Sequence, residues 1–140
     1  MTDFESLIAR YYTAFNERRF SDAADLFTAD AEVSHRSNIP LRGPEGYLTS
    51  ARLATTSFPD LRLEVVTTRQ HGDTIVEVDL IATGTHMGDW TADRVGTVKA
   101  TGQLKRIHVR ETLEVRAGKF TFSSLNYNLQ DLFGPSGAAT

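Results

Sequence analysis

Four side chains in this 140-residue chain place a titratable group where the pattern predicts apolar surroundings: Tyr11, His35, His86 and Glu111. Imidazoles and carboxylates of that kind can accept or deliver a proton, and a phenol can donate to a developing oxyanion. Strand parity singles out Glu111. Ile107, Val109, Glu111, Leu113 and Val115 share one face of a strand predicted over Gln103–Val115, and alternate residues of a strand point the same way. Either a bulge or an ion pair carries Glu111 outward, or it is a pocket acid whose pKa is raised by loss of water. His35 shares a face with Ala31 and Val33, as a satisfied core histidine or as a base. The row Val76, Val78, Leu80, Ala82 runs on to His86, placing it at a strand end near a pocket rim. Tyr11 lies on the buried stripe of the first helix, where its hydroxyl needs a backbone or ligand partner.

The rest of the composition narrows the chemistry by exclusion. There is no cysteine, so thiolate catalysis, zinc–thiolate sites and disulfides are ruled out. The four histidines, His35, His71, His86 and His108, show no His-x-x-x-His spacing, and no metal is expected. No glycine-rich loop leads from a strand into a helix, and no G-x-S-x-G elbow occurs. Fifteen Lys and Arg against eighteen Asp and Glu give a net charge of −3, the wrong sign for nucleic acid as main partner. No apolar run approaches about 18 residues, so no membrane span is expected. Asp3, Glu5 and Arg10 do not make a signal peptide, and the expected location is cytoplasmic. What remains is proton transfer inside one cavity.

The elements that must position these groups fall into two runs. Thr2-x-x-Glu5 is a capping box, and Phe4, Leu7, Ile8, Tyr11, Ala14 and Phe15 follow at helical spacing. Ser21 is placed to cap a short second helix, Ala31–Arg36 reads as a strand, and Pro44 opens a third helix with Tyr47, Leu48, Ala51 and Ala54 inward. From Phe58-Pro59-Asp60 the period changes from 3.6 to 2. Leu61, Leu63, Val65 and Thr67 form one row, Thr74–Thr85 is a long strand, and Met87–Gly102 is a polar loop holding Trp90. Gln103–Val115 and Lys119–Tyr127 flank an Ala117-Gly118 turn, with a last turn at Leu129–Phe133. Helices first and antiparallel strands after predict an α+β fold. A curved sheet wrapped around the N-terminal helices leaves a conical pocket. Residues 1–134 are read as one domain and 135–140 as a tail.

Several of these segments resemble a known family. Arg10-Tyr11-Tyr12-Thr13-Ala14-Phe15-Asn16 and Leu26-Phe27-Thr28-Ala29-Asp30-Ala31 resemble the opening of the nuclear-transport-factor-like fold and of ketosteroid isomerases. Phe58-Pro59-Asp60-Leu61, Gly72-Asp73, Gly84-Thr85-His86-Met87-Gly88, Thr101-Gly102 and Gly118-Lys119 are similar to the SnoaL-like branch of polyketide cyclases. The resemblance implies a dimeric α+β barrel acting on aromatic polyketides without metal or organic cofactor. It implies an oxyanion-hole role for Tyr11, a base at His35 and a second oxyanion donor at Glu111. The cyclases' aspartate on the last strand is Leu125 here, with Asn128 where a nearby aspartate is common. Their partner histidine corresponds to Glu111, or to His108 if a bulge shifts the register. Loss of that aspartate fits the SnoaL-like members linked to ring hydroxylation better than the aldol cyclases.

The expected function is therefore a tailoring enzyme of anthracycline-type antibiotic biosynthesis. His35 or Glu111 removes a proton, Tyr11 stabilises the enolate, and Trp90 and Phe58 stack on the planar ligand. His86, Leu125, Asn128 and His108 complete the expected substrate site. The expected partners are an aromatic polyketide, a second copy in a homodimer, and a reductase if the reaction is hydroxylation. A ketosteroid-isomerase-like isomerase and a non-catalytic ligand-binding module are the alternatives.

Overall fold

A computed structural model describes residues 3–36, 39–92 and 96–128. Helix α1 (Asp3–Asn16) and helix α2 (Phe20–Ala24) lead into strand β1 (Phe27–Arg36), strand β2 (Ile39–Arg42) and helix α3 (Gly43–Ser57). Strands β3 (Arg62–His71), β4 (Ile75–Thr85), β5 (Trp90–Ala92), β6 (Gly96–Val98), β7 (Leu104–Arg116) and β8 (Lys119–Asn126) follow. Six strands form one curved, unclosed sheet in the order β2-β1-β8-β7-β4-β3. The α+β architecture matches the expectation. One pairing is not antiparallel: β1 runs parallel to β8, with Val33 beside Ser123. That pairing extends β1 back to Phe27, which is set against Phe120, four residues earlier than the alternation begins in the sequence.

The core lies where the helices cover the inner face of the sheet. Tyr11 of α1, Tyr47 of α3, Phe27 and Phe120 form an aromatic cluster with ring centroids 4.9–5.8 Å apart, the range of favourable edge and offset contacts. Long β7 alternates as its parity predicts, burying Ile107, Val109, Glu111, Leu113 and Val115. Helix α3 starts at Gly43, whose φ of 65° is a backbone that glycine adopts without strain. Pro44 follows in the first turn and presets the helical φ. The helix stops at Ser57, because Phe58 precedes Pro59 and leaves the α region at φ −130°.

Four local expectations fail for visible reasons. Ser21 caps nothing: α2 begins at Phe20 with Arg19 before it and no side-chain cap. The row through Val65 and Thr67 breaks at a bulge between them, so Val65 is exposed and Thr67 turns outward to Asp79. The predicted loop 87–102 contains the β5–β6 hairpin, which pairs Trp90 with Val98. Ile39–Arg42, read as loop, pairs with β1 as edge strand β2, and Pro40 fits that edge. Thr2, Leu129–Phe133, the boundary at 134 and the tail lie outside the described residues.

Candidate functional site

One cavity of about 120 Å³ lies between α1, α3 and the sheet. Its walls are apolar, with Leu80, Val109 and Leu125 among them, and polar atoms gather at its floor. Tyr11 and Tyr12 come to that floor from α1, His35 from β1, Tyr47 and Ser50 from α3, and Glu111 from β7. At the other end lie Phe58, Trp90 and Tyr127, with partly exposed Lys105 on the register pair Gly84–Lys105. Trp90 meets Phe58 and Tyr127 edge-on at 5.8 and 6.1 Å.

Glu111 is the hub of the floor. It is 2% exposed, and β7 offers its side chain no backbone donor. Three hydroxyls supply donors instead: Tyr11 to Oε2 at 2.7 Å, Tyr12 to Oε1 at 2.7 Å, and Ser123 to Oε2 at 2.5 Å. His35 Nε2 stands 3.6 Å from Oε2 and reaches it through Ser123, whose Oγ is 2.7 Å from Nε2. On the other side of the ring, Nδ1 is 2.5 Å from Ser50 Oγ.

The donor count assigns the tautomer. Ser123 has one proton and gives it to the ionised carboxylate, so its oxygen accepts from Nε2–H of His35. Nδ1 is left for Ser50 Oγ, and on a neutral ring it accepts the Ser50 proton. The result is a continuous chain, Ser50–His35–Ser123–Glu111, with the two tyrosines fixing its acidic end.

Burial raises the Glu111 pKa, but the contributions of His35, Ser123 and Tyr12 outweigh it and hold the carboxyl below its ordinary value. The desolvated acid of raised pKa expected from sequence is therefore corrected. A carboxylate with several donors favours its charged form even when buried. The same carboxylate, after burial itself, pushes both Tyr11 and Tyr12 well above the usual phenol range. Both remain protonated donors.

The remaining expected site residues divide. Leu125, Phe58 and Trp90 line the cavity, and Leu125 is in register with Glu111. His108 does not: it is on the outer face of β7, bonded to Asp79 at 3.1 Å beside Arg110. No bulge displaces Glu111, so the alternative placement of His108 in the pocket is excluded. His86 is fully buried outside the lining, stacked on Phe58 at 5.2 Å and bonded to Thr101. Burial lowers its pKa. Asn128 is exposed and does not line the cavity.

Four further residues complete the site, three at the floor and Ser123 behind it. Ser50 follows Tyr47 by three positions on the inner stripe of α3, and Ser123 shares the strand face of Leu125. Helical spacing and strand parity place both on inward faces, where a small hydroxyl is indistinguishable in sequence from ordinary packing. Tyr12 and Tyr47 were visible only as helix residues. Among the described residues, no group of three or more His, Asp or Glu side chains could hold a metal ion. Among them, too, no helix is long and apolar enough to cross a membrane.

Residues 8–122 match the model of the SnoaL-like domain. The chain belongs to that family. Solved structures similar to it include AclR, a candidate hydroxylase from Streptomyces galilaeus, at 22% identity over 92% of this chain and 91% of that one, TM-score 0.74. A candidate SnoaL-like polyketide cyclase from Jannaschia sp. CCS1 superimposes with TM-score 0.82 at 16% identity, over 99% and 92% of the two chains. IdmH of Streptomyces antibioticus, a candidate polyketide cyclase, gives 0.72 at 24% identity, over 91% and 96%. At these identities the likeness establishes the fold, with its helices before an unclosed sheet. No curated protein matches the sequence significantly.

Proposed function

We propose that this SnoaL-like protein abstracts a proton from a polycyclic aromatic polyketide of the anthracycline type and acts as a hydroxylase-type tailoring enzyme. The observation that carries the reading is the buried Ser50–His35–Ser123–Glu111 chain at the floor of an apolar, aromatic-walled cavity. As the substrate loses a proton to Ser50 Oγ, the Ser50 proton passes to Nδ1 of His35. The Nε2 proton then moves to Ser123, whose own proton reaches Glu111. The products are an enolate or phenolate, a neutral Glu111 and the other neutral tautomer of His35. Negative charge has moved from Glu111 to the substrate, and no atom is gained or lost.

Cavity size fits the reactive end of such a ligand. An apolar cavity of about 150 Å³ accommodates a benzene, so about 120 Å³ holds roughly one ring. Further rings would extend toward Trp90 and Tyr127. Leu125, where aldol cyclases of this family carry an aspartate, favours hydroxylation, as does the likeness to AclR. In that case molecular oxygen is the oxidant, and a separate reductase supplies two electrons.

A panel of anthracyclinone intermediates tests the reading, with and without a reductase and nicotinamide cofactor. A mass gain of one oxygen is the expected result. Unchanged mass with an altered spectrum would replace hydroxylation by cyclisation or ketosteroid-isomerase-like isomerisation. Binding with neither change would leave a ligand-binding module.

A further inference from the structure

We propose that Tyr47 donates the hydrogen bond that receives the substrate's carbonyl or enolate oxygen, while Tyr11 and Tyr12 are positioning residues for Glu111. The proposal rests on the aromatic-ketone reading above and names the oxygen-binding group of that site.

Each polar group of the floor has one place to send its proton. Tyr11 and Tyr12 give theirs to Oε2 and Oε1 of Glu111, both at 2.7 Å. Ser123 gives its proton to the same carboxylate, and Ser50 is bound to His35. Redirecting any of these toward a ligand would take a donor away from a buried acceptor, the Glu111 carboxylate or the His35 ring, at a cost in free energy. Tyr47 differs. Its side chain is only 3% exposed and lines the cavity, yet no hydrogen bond within the described residues engages its hydroxyl, whose oxygen is not among the fully buried unpartnered atoms and so stays reachable. A hydroxyl left without a protein partner on the cavity wall is available to the cavity's occupant, and a ligand that excludes water there has to supply its acceptor.

Ring packing prepares Tyr47 for that task. Its ring stacks on Phe27 at 5.2 Å and leans on Tyr11 at 5.6 Å, which fixes the phenol before a ligand arrives. Burial, and after it the charge of Glu111, raises its pKa, so the hydroxyl enters the reaction protonated. Tyr47 and Ser50 lie one helical turn apart on α3. One helix thus presents the oxygen-binding donor and the first proton acceptor side by side, as enolisation α to a carbonyl requires.

Two probes of matched shape isolate the hydrogen bond: 2-tetralone, and its hydrocarbon counterpart tetralin. Tyr47→Phe should weaken 2-tetralone about tenfold and leave tetralin within about twofold. The carbonyl stretch of bound 2-tetralone should lie at lower wavenumber in the wild type than in Tyr47→Phe. Tyr11→Phe should keep the shifted stretch. Because the Tyr47 hydroxyl has no protein partner to strand, its removal should leave folding intact.

Equal weakening of both probes by Tyr47→Phe would mean lost packing and would overturn the assignment. So would a carbonyl shift that survives in Tyr47→Phe and disappears in Tyr11→Phe or Ser50→Ala. A wild type that binds neither probe would overturn the aromatic-ketone reading and this proposal with it.

Discussion

The hydroxyl of Tyr11 donates to Oε2 of Glu111 over 2.7 Å, joining the first helix to a strand a hundred residues later in the chain. Tyr12 takes the other oxygen. Two adjacent helical residues ordinarily diverge, but these rings, 4.7 Å apart and tilted 52°, straddle one carboxylate. A buried acid facing two phenols and a serine is stabilised as the anion, and its stability becomes conditional on pH. The carboxylate is thus both a proton acceptor and a tie between α1 and the sheet.

Acid should loosen the fold as two buried carboxylates take up protons. Glu111 titrates below its ordinary value of 4.5 in the folded protein, so the unfolded chain takes up that proton first. Its contribution is complete above about 4.5 and declines as pH falls through the lower folded value. Asp79, held at about 2 by Thr67, then Arg110 and His108, behaves alike between 3.8 and about 2. Urea unfolding between pH 7 and 2 should show stability falling through both ranges. Glu111→Gln should flatten the first, and an unchanged slope there would remove the assignment.

His35→Ala and Glu111→Gln should each cost about 100-fold or more in proton abstraction, the scale of a lost general base. Deuterium incorporation next to the carbonyl of 2-tetralone in heavy water measures that step without requiring the natural substrate. Circular dichroism must stay native for the comparison to count. Wild-type exchange in both variants would eliminate this base assignment.

The legibility of the site followed the reach of period and parity. Strand parity put Glu111 on the inner face because β7 has no bulge there, and His35 stays inward although the β1–β2 pairing shifts register between Val33 and Arg36. It failed at Val65 and Thr67, where a single inserted residue turns the row over. His86 was placed at a rim because its row continues inward, and only the contact with Phe58 shows that the ring packs outside the cavity. Long-range choices were beyond the sequence. The parallel pairing of β1 with β8 brings Ser123 beside His35, and no local pattern encodes which strand a chain will pair with 90 residues later. The direction of the Glu111 shift depended on His35 of β1, then Ser123 of β8 and Tyr12 of α1, so burial alone pointed the wrong way.

Gly43→Ala should destabilise the protein by about 2–3 kcal/mol. A Cβ there would run into the carbonyl of Ala29 on β1, and φ is +65°. Since Gly43 begins the helix that carries Tyr47 and Ser50, 2-tetralone binding should fall with stability. Gly72→Ala makes the contrast, with φ +68° but open space around a Cβ, and should cost less. Equal costs in urea unfolding would show that backbone conformation alone matters and that the Ala29 contact does not.

Ser123→Ala gives the sharpest separation of relay from scaffold. The serine is fully buried, and its hydroxyl bridges groups 3.6 Å apart, too far for a direct hydrogen bond of ordinary geometry. Without it, His35 Nε2–H and Glu111 Oε2 each lose a partner, which should cost about 1–3 kcal/mol. A purely structural bridge would show that loss alone. A relay predicts more: exchange into 2-tetralone should slow by about 10-fold or more, with its Kd nearly unchanged because Ser123 does not line the cavity. The pH profile should also change, since Glu111 no longer receives the proton that His35 accepts. A variant that loses stability but exchanges at the wild-type rate and pH would show that the proton stops at His35, with Glu111 acting only through its charge.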